Sequence, residues 1–315
     1  MSKKVVVIGG GHGQSLICRA IKQIDDISIS AIVTVADDGG STGRLRKQFH
    51  IPAMGDIRNV LISLSEKESI MSNLMNYRFA SLGEEDIDVQ GHNLGNLILT
   101  ALTEQTGSFL EAIQVASDVL KVKGKIIPAT TEIITLYARM EDGVVVKGEA
   151  NIPNINHHID EVFYDKEVTA DNDAVEAILE ADIILYGIGS VYTSILPNVI
   201  IPNIKEALHK SKAKKIYVCN AMTQPGETDG YSVEDHVNAL LKHGAPLDAV
   251  IIASDTLPEF NVNRYKDQGS TPVLLKEEQH DYEVIKKELL CFDSGLIRHD
   301  VEKVKKSLEE VIKEN

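Results

Sequence analysis

Five stretches of this chain gather residues that could hold a phosphate, a sugar or a cation. The first is Gly9-Gly10-Gly11-His12-Gly13-Gln14-Ser15, directly after an apolar run and at the start of a helical pattern. Glycines there let backbone N–H groups approach an anion at the positive end of a helix, so Gly9, Gly10, Gly11, His12 and Gly13 are candidate phosphate contacts. Counted as GxGxxG from Gly9, the pattern places Gln14 where a nicotinamide-binding loop needs a third small residue, which disfavours a dehydrogenase. The second stretch is Ala36-Asp37-Asp38-Gly39-Gly40-Ser41-Thr42-Gly43-Arg44-Leu45-Arg46. An acidic residue roughly 20 positions past a glycine loop is placed to accept a ribose hydroxyl. Asp37 and Asp38 could equally hold a divalent cation such as magnesium against phosphates, with Asp38 as the candidate metal ligand. Arg44, Arg46 and Arg58 are spaced to clamp an anion by charge-assisted bonds.

The third stretch, Gly91-His92-Asn93-Leu94-Gly95-Asn96, puts Asn93 near a helix start and Asn96 one turn further on. Asn93 could serve a ligand or simply cap the helix. The fourth, Gly187-Ile188-Gly189-Ser190-Val191-Tyr192-Thr193-Ser194, is a second small-residue loop in which Gly189, Ser190, Thr193 and Ser194 could contact phosphate or sugar. The fifth, Asn220 to Thr228, offers Asn220 and Thr223 to a base or sugar. Ser254-Asp255 and Arg264-Tyr265-Lys266 are further polar candidates. The histidines, His157-His158 included, show no HExxH spacing, and neither GxSxG nor GxxxxGK[ST] occurs, which disfavours zinc, serine-hydrolase and P-loop chemistry.

The elements that must position these loops are short buried strands. Residues 5–9, 29–36, 182–189, 215–221 and 248–254 are β-rich apolar runs, most of them ending in a glycine or polar cluster and followed by a helical pattern. That alternation predicts βα units in a parallel sheet, whose ligands bind at the carboxyl ends of the strands. Helices are expected over 15–24, 56–66, 94–104, 108–121, 172–180, 200–211, 233–243 and 299–313, the last amphipathic. The runs flanking Glu141-Asp142-Gly143 read as an antiparallel hairpin, an excursion near 130–152. The expectation is a single α/β domain over 1–315: a Rossmann-like three-layer sandwich with a mostly parallel sheet.

With 47 acidic against 32 basic residues, the formal charge of -15 repels polyanions, so neither nucleic acid nor membrane insertion is expected. Cys18, Cys219 and Cys291 lie far apart in apolar stretches and form neither a CxxC metal site nor a disulfide framework. No secretory signal pattern opens the chain and no apolar run reaches the ~20 residues of a transmembrane helix, so the expected location is cytoplasmic. A symmetric homo-oligomer is the default expectation.

Read together in order, VVVIGGGHG, VTVADDGGSTGRLR, GDIRNVLISL, GHNLGN, GIGSVYTSILPN and NAMTQPGET followed by His236 resemble the gluconeogenesis-factor family over essentially the whole chain. At greater distance the chain is similar to the 2-phospho-L-lactate transferases. The resemblance implies a Rossmann-like core, a cytoplasmic location, binding of a UDP-sugar of the UDP-N-acetylglucosamine type, and a protein partner in cell-wall synthesis. It implies a regulator required for normal cell shape on gluconeogenic carbon, and names no turnover; the enzymatic alternative moves a nucleotide-activated phospho-acid onto an alcohol with a divalent cation. Carried over, Gly9 to Gly13 face phosphate, Asp37 and Asp38 ribose or metal, and Asn93, Asn96, Ser190, Thr193, Ser194 and Thr223 the rest of the ligand. Tyr265 and Arg298 are assigned to base and diphosphate. His12 and Ile188 depart from the family pattern, where threonine and proline are usual.

Overall fold

A computed structural model describes residues 2–80, 89–155 and 157–314. The strands are β1 (Lys3–Gly9), β2 (Ile27–Val33), β3 (Lys125–Pro128), β4 (Leu136–Met140), β5 (Val145–Lys147), β6 (Ile159–Tyr164), β7 (Ile183–Tyr186), β8 (Lys214–Val218), β9 (Ala249–Ala253), β10 (Glu283–Lys287), β11 (Leu290–Cys291) and β12 (Arg298–His299). The helices are α1 (Gly11–Ile21), α2 (Gly40–Phe49), α3 (Gly55–Leu64), α4 (Glu68–Met75), α5 (Leu94–Thr106), α6 (Phe109–Leu120), α7 (Asn172–Glu180), α8 (Leu196–Val199), α9 (Pro202–Lys210), α10 (Val233–His243), α11 (Glu259–Lys266) and α12 (Val301–Glu314).

Seven strands form one sheet in the order β10-β9-β8-β7-β1-β2-β3, and every pairing within it is parallel. β1, β7 and β9 are almost wholly buried because helices cover both faces. On the helical layers α1 packs against α3 and α12, while α7 packs against α9. The Rossmann-like three-layer expectation therefore holds. The strand order also fixes where a ligand can go. The chain runs outward from β1 through β2 to β3, then returns to the other side of β1 and runs through β7, β8 and β9 to β10. Crossovers that leave β1 and β7 in opposite directions open a crevice between their carboxyl ends. The two glycine loops of the sequence end those two strands.

Several elements differ from the sequence reading. The glycine loop is itself helical, since α1 begins at Gly11 rather than at residue 15. Gly40–Phe49, read as a polar loop, is helix α2. The expected hairpin exists as β4 and β5, but β6 joins it to give a three-stranded antiparallel sheet in the order β5-β4-β6. The stretch after β5, read as more strand, is instead a short 3₁₀ helix over Glu149–Asn154. The excursion thus extends to Tyr164, beyond the expected end near 152.

Gln14 explains how α1 dispenses with a third glycine. Its buried side chain donates from Nε2 to the Val7 carbonyl at 3.0 Å and to the Ile32 carbonyl at 2.8 Å. It sews α1 to both β1 and β2, filling the space that a bare backbone approach would otherwise close.

Candidate functional site

Gly13 sits where the two glycine loops touch. A Cβ built on it would lie 2.0 Å from the Ile188 carbonyl oxygen and 2.9 Å from the Gly189 nitrogen. The first turn of α1 and the loop after β7 are therefore in backbone contact across the crevice. Ser194 lies beside the same junction, with Oγ 3.8 Å from the Cβ position of Gly11 and 3.7 Å from that of Gly189. Gly9 and Gly10 are buried under the loop, and His12 is exposed in the first turn of α1.

The structure brings most of the sequence candidates to this edge but spends many of their polar atoms on the scaffold. Ser190 donates its hydroxyl to the buried Glu227 carboxylate, and Thr193 does so at 3.3 Å. Asn220 clamps Gly189 on both sides, donating to its carbonyl at 3.0 Å and accepting from its N–H at 3.2 Å. Thr223 accepts from the Thr271 N–H at 2.8 Å. The Tyr265 hydroxyl donates to the Ile297 carbonyl at 3.0 Å and accepts from the Ile297 N–H at 3.2 Å. Arg298 is exposed on β12, between Ile297 and His299, which line the cleft.

Each arginine of the expected clamp makes protein contacts of its own. Arg46 is only 7% exposed and donates to the carbonyls of Ala36, Asp37 and Ile134. Arg44 is exposed and holds the Gln90 carbonyl at 2.8 Å. Arg58 donates to Asn96 Oδ1 and Asn59 Oδ1, each at 2.9 Å. Asn96 passes that contact on, donating to Ser41 Oγ at 3.2 Å, and Ser41 also bonds His92 Nδ1 at 2.9 Å. Asn93 occupies the cap position of α5 without a side-chain cap bond, and its buried Oδ1 has no partner.

The aspartate pair divides. Asp37 turns inward, accepting from the Gly39 N–H at 2.9 Å, and burial raises its carboxyl above the ordinary range. Asp38 turns toward the excursion and accepts from the Ala150 N–H at 3.0 Å, pinning the 3₁₀ segment against the start of α2. That pin has a readable consequence. Asp38→Ala should cost about 1 kcal/mol and speed exchange of the Ala150 amide, while nucleotide affinity changes by less than about threefold. Hydrogen exchange and a binding titration check it, and loss of binding would make Asp38 a ligand contact instead.

Three acidic residues that sequence reasoning missed complete the site. Asp56, in the first turn of α3, accepts from the Gly11 N–H at the mouth of α1. Burial first, then the charge of Asp37, pushes it up to about 7 against the pull of Gly11, Arg58 and Asn59. Glu149, delivered by the 3₁₀ segment that Asp38 pins, is raised to about 8 by burial and then by Asp37, Asp56, Glu227 and Asp38. Glu227 is the third, raised by burial while Ser190 and Thr193 oppose the shift. No spacing connects residues 37, 56, 149 and 227, so only the fold could assemble them.

An anion entering beside these carboxyls requires protons or a cation to offset their charge. Carboxylate oxygens suit a hard divalent ion, and magnesium commonly uses one or two protein carboxylates with water and substrate phosphates completing its shell. Among the described residues, no three histidine, cysteine or acidic side chains converge as a metal cage. The donor set thus fits a cation shared with a phosphorylated ligand and does not fit a free-standing metal centre.

Residues 5–290 match the family model described as 2-phospho-L-lactate transferase CofD. The Gluconeogenesis factor of Bacillus subtilis is 43% identical over 317 residues, covering 99% of this chain and 98% of that one. The Putative gluconeogenesis factor of Thermotoga maritima is 45% identical over 276 residues, covering 87% of this chain and 86% of that one. A solved structure of a UPF0052 family member from Bacillus halodurans superposes with a TM-score of 0.91 at 41% identity, covering 97% of this chain and 99% of that one.

Proposed function

We propose, from the premise that this chain belongs to the 2-phospho-L-lactate transferase CofD family, that it binds a nucleotide sugar across the crevice between β1 and β7 and acts as a regulator. The single observation that carries this reading is the meeting of the two glycine loops at the topological switch point, with Gly13 against Ile188 and Gly189. Such a junction offers backbone N–H groups and a helix N-terminus to a diphosphate.

The ligand class we favour is a UDP-sugar of the UDP-N-acetylglucosamine type. Occupancy would bias a conformation or a partner surface and so couple carbon supply to wall synthesis and cell shape under gluconeogenic growth. Full-length similarity to proteins named gluconeogenesis factor supports that role. We place the protein in the cytoplasm. No helix among the described residues is long and apolar enough to cross a membrane. A partner protein of wall synthesis receives the signal in this reading.

A second reading draws on the half-buried carboxyls. Asp37, Asp56 and Glu149 beside a phosphate loop are what a magnesium-dependent transferase would use to hold a nucleotide-activated phospho-acid while an alcohol displaces the nucleotide. When bound, the cation would offset charge on the phosphates. The chain's own residues would orient the ligand through the glycine loops, and Asp56 or Glu149 would hold the proton that the acceptor alcohol loses. Calorimetric titration with UDP-N-acetylglucosamine, UDP-glucose, GDP and NAD, with and without magnesium, separates the readings when the ligand is followed for breakdown. Saturable binding of an intact UDP-sugar supports the regulator; nucleotide release with an added acceptor supports the transferase. Absence of binding by every nucleotide overturns both.

A further inference from the structure

Beyond the Gly13–Gly189 junction the cleft continues toward the end of β8 and the β11–β12 hairpin. It encloses about 280 Å³ and is bordered by Ile188, Ala221, Met222, Thr223, Tyr265 and His299, among others. Most polar side chains of this lining are committed to protein. The Asn220 amide grips Gly189, the Thr223 hydroxyl accepts from Thr271, and both functions of the Tyr265 hydroxyl are taken by Ile297. Tyr265 thus contributes its ring to the wall, and the edge of a base must be read by some other group.

His299 is a lining residue whose ring keeps an uncommitted nitrogen. Its ring makes a hydrogen bond to the backbone of Cys219, whereas its Nε2 is buried with no partner. The nitrogen facing a carbonyl carries the proton, so Nε2 presents a lone pair and can only accept. Burial holds the ring neutral, depressing its proton affinity to about 4. An acceptor shut away from water without a donor is destabilising, and a ligand N–H brought into the cleft would relieve it.

We propose that His299 determines nucleobase specificity: its Nε2 accepts the ring N–H on the pairing edge of a uracil or guanine, with the Tyr265 ring as the adjoining wall. Cytosine and adenine present a ring acceptor at that position and meet the lone pair of His299 unfavourably. The inference deepens the nucleotide reading above and rests on it.

The test compares wild-type affinity for UDP, N3-methyl-UDP, GDP, N1-methyl-GDP and CDP, then repeats the series with His299→Leu. Wild type should bind UDP or GDP about tenfold tighter than the matching methylated base and than CDP. A penalty confined to N3-methyl-UDP assigns uracil, and one confined to N1-methyl-GDP assigns guanine. In His299→Leu the natural base should weaken until the gap falls within about twofold. Equal binding of natural and methylated bases by wild type overturns the proposal and leaves the nucleotide reading intact, and this arm needs no variant to fold. A gap that survives in His299→Leu also overturns it. Failure of wild type to bind any of these nucleotides overturns the nucleotide reading itself.

Discussion

Gly13→Ala is expected to destabilise the protein by about 3 kcal/mol or more and to abolish nucleotide binding in whatever folded fraction remains. The added methyl would lie 2.0 Å from the Ile188 oxygen and 2.4 Å from its carbonyl carbon, and both are backbone atoms that no rotamer change can move aside. Either α1 must withdraw or the loop after β7 must shift, and each movement opens the junction that defines the crevice. Gly143 supplies the control. It sits in the β4–β5 turn at φ +86° with nothing within 4 Å of its Cβ position. Gly143→Ala should therefore cost only the left-handed backbone strain, about 1 kcal/mol, and leave nucleotide affinity unchanged. Thermal unfolding and a binding titration on both variants check the pair. Equal destabilisation by the two, or unimpaired binding by Gly13→Ala, would contradict the close approach.

The second large effect is on pH. Asp56 and Glu149 titrate near 7 and 8 in the folded chain, above the ordinary carboxyl range they recover when unfolded. Between those limits the folded state binds more protons than the unfolded one. Their contribution to stability is therefore full below the unfolded values, near pH 4, and is lost as pH rises through 7 to 8. Ligand-free protein should unfold at progressively lower temperature from pH 6 to pH 9, and Glu149→Gln should flatten that decline and be more stable than wild type at pH 9. Magnesium and nucleotide should act in the opposite sense, because a cation competes with those protons. Affinity for UDP-N-acetylglucosamine with magnesium should rise by up to about tenfold per pH unit between 6 and 8 for each proton displaced. Calorimetry in buffers of different ionisation enthalpy counts the protons released. An affinity independent of pH, with no proton release, would remove Asp56 and Glu149 from the site.

The large features of the fold were legible because they rest on local patterns. β1, β7, β8 and β9 are apolar runs buried on both faces, each ending in glycine or a polar cluster, and this is enough to place the sheet and its functional edge. β3 and β10 were missed for opposite reasons. Lys125–Pro128 is too short to show a period, and Glu283–Lys287 carries charges because it is an edge strand with a half-exposed pattern. α2 was missed because its cap and first residues, Gly39-Gly40-Ser41-Thr42, read as a turn; Arg46, Leu45 and Thr42 bury the helix by contacts that no window of sequence contains.

The candidate site was legible as a place, less so as a set of side chains. Glycine spacing locates the backbone junction because the requirement it meets is local. Which polar atoms remain for a ligand depends on partners far away in sequence: Glu227 takes Ser190 and Thr193, Ile297 takes Tyr265, and Ala150 takes Asp38. Asp56 and Glu149 carried no signal, the one resembling an ordinary acidic residue in a helix's first turn and the other lying in a stretch read as hairpin.

The most direct measurement is a crystal structure of the protein grown with UDP-N-acetylglucosamine and magnesium. The diphosphate is expected between the first turn of α1 and Gly189, beside Asp56, with the base in the cleft bordered by Tyr265 and His299. Density for the nucleotide anywhere else, such as the groove between α2 and the excursion lined by Lys47, His50 and Lys147, would contradict the account.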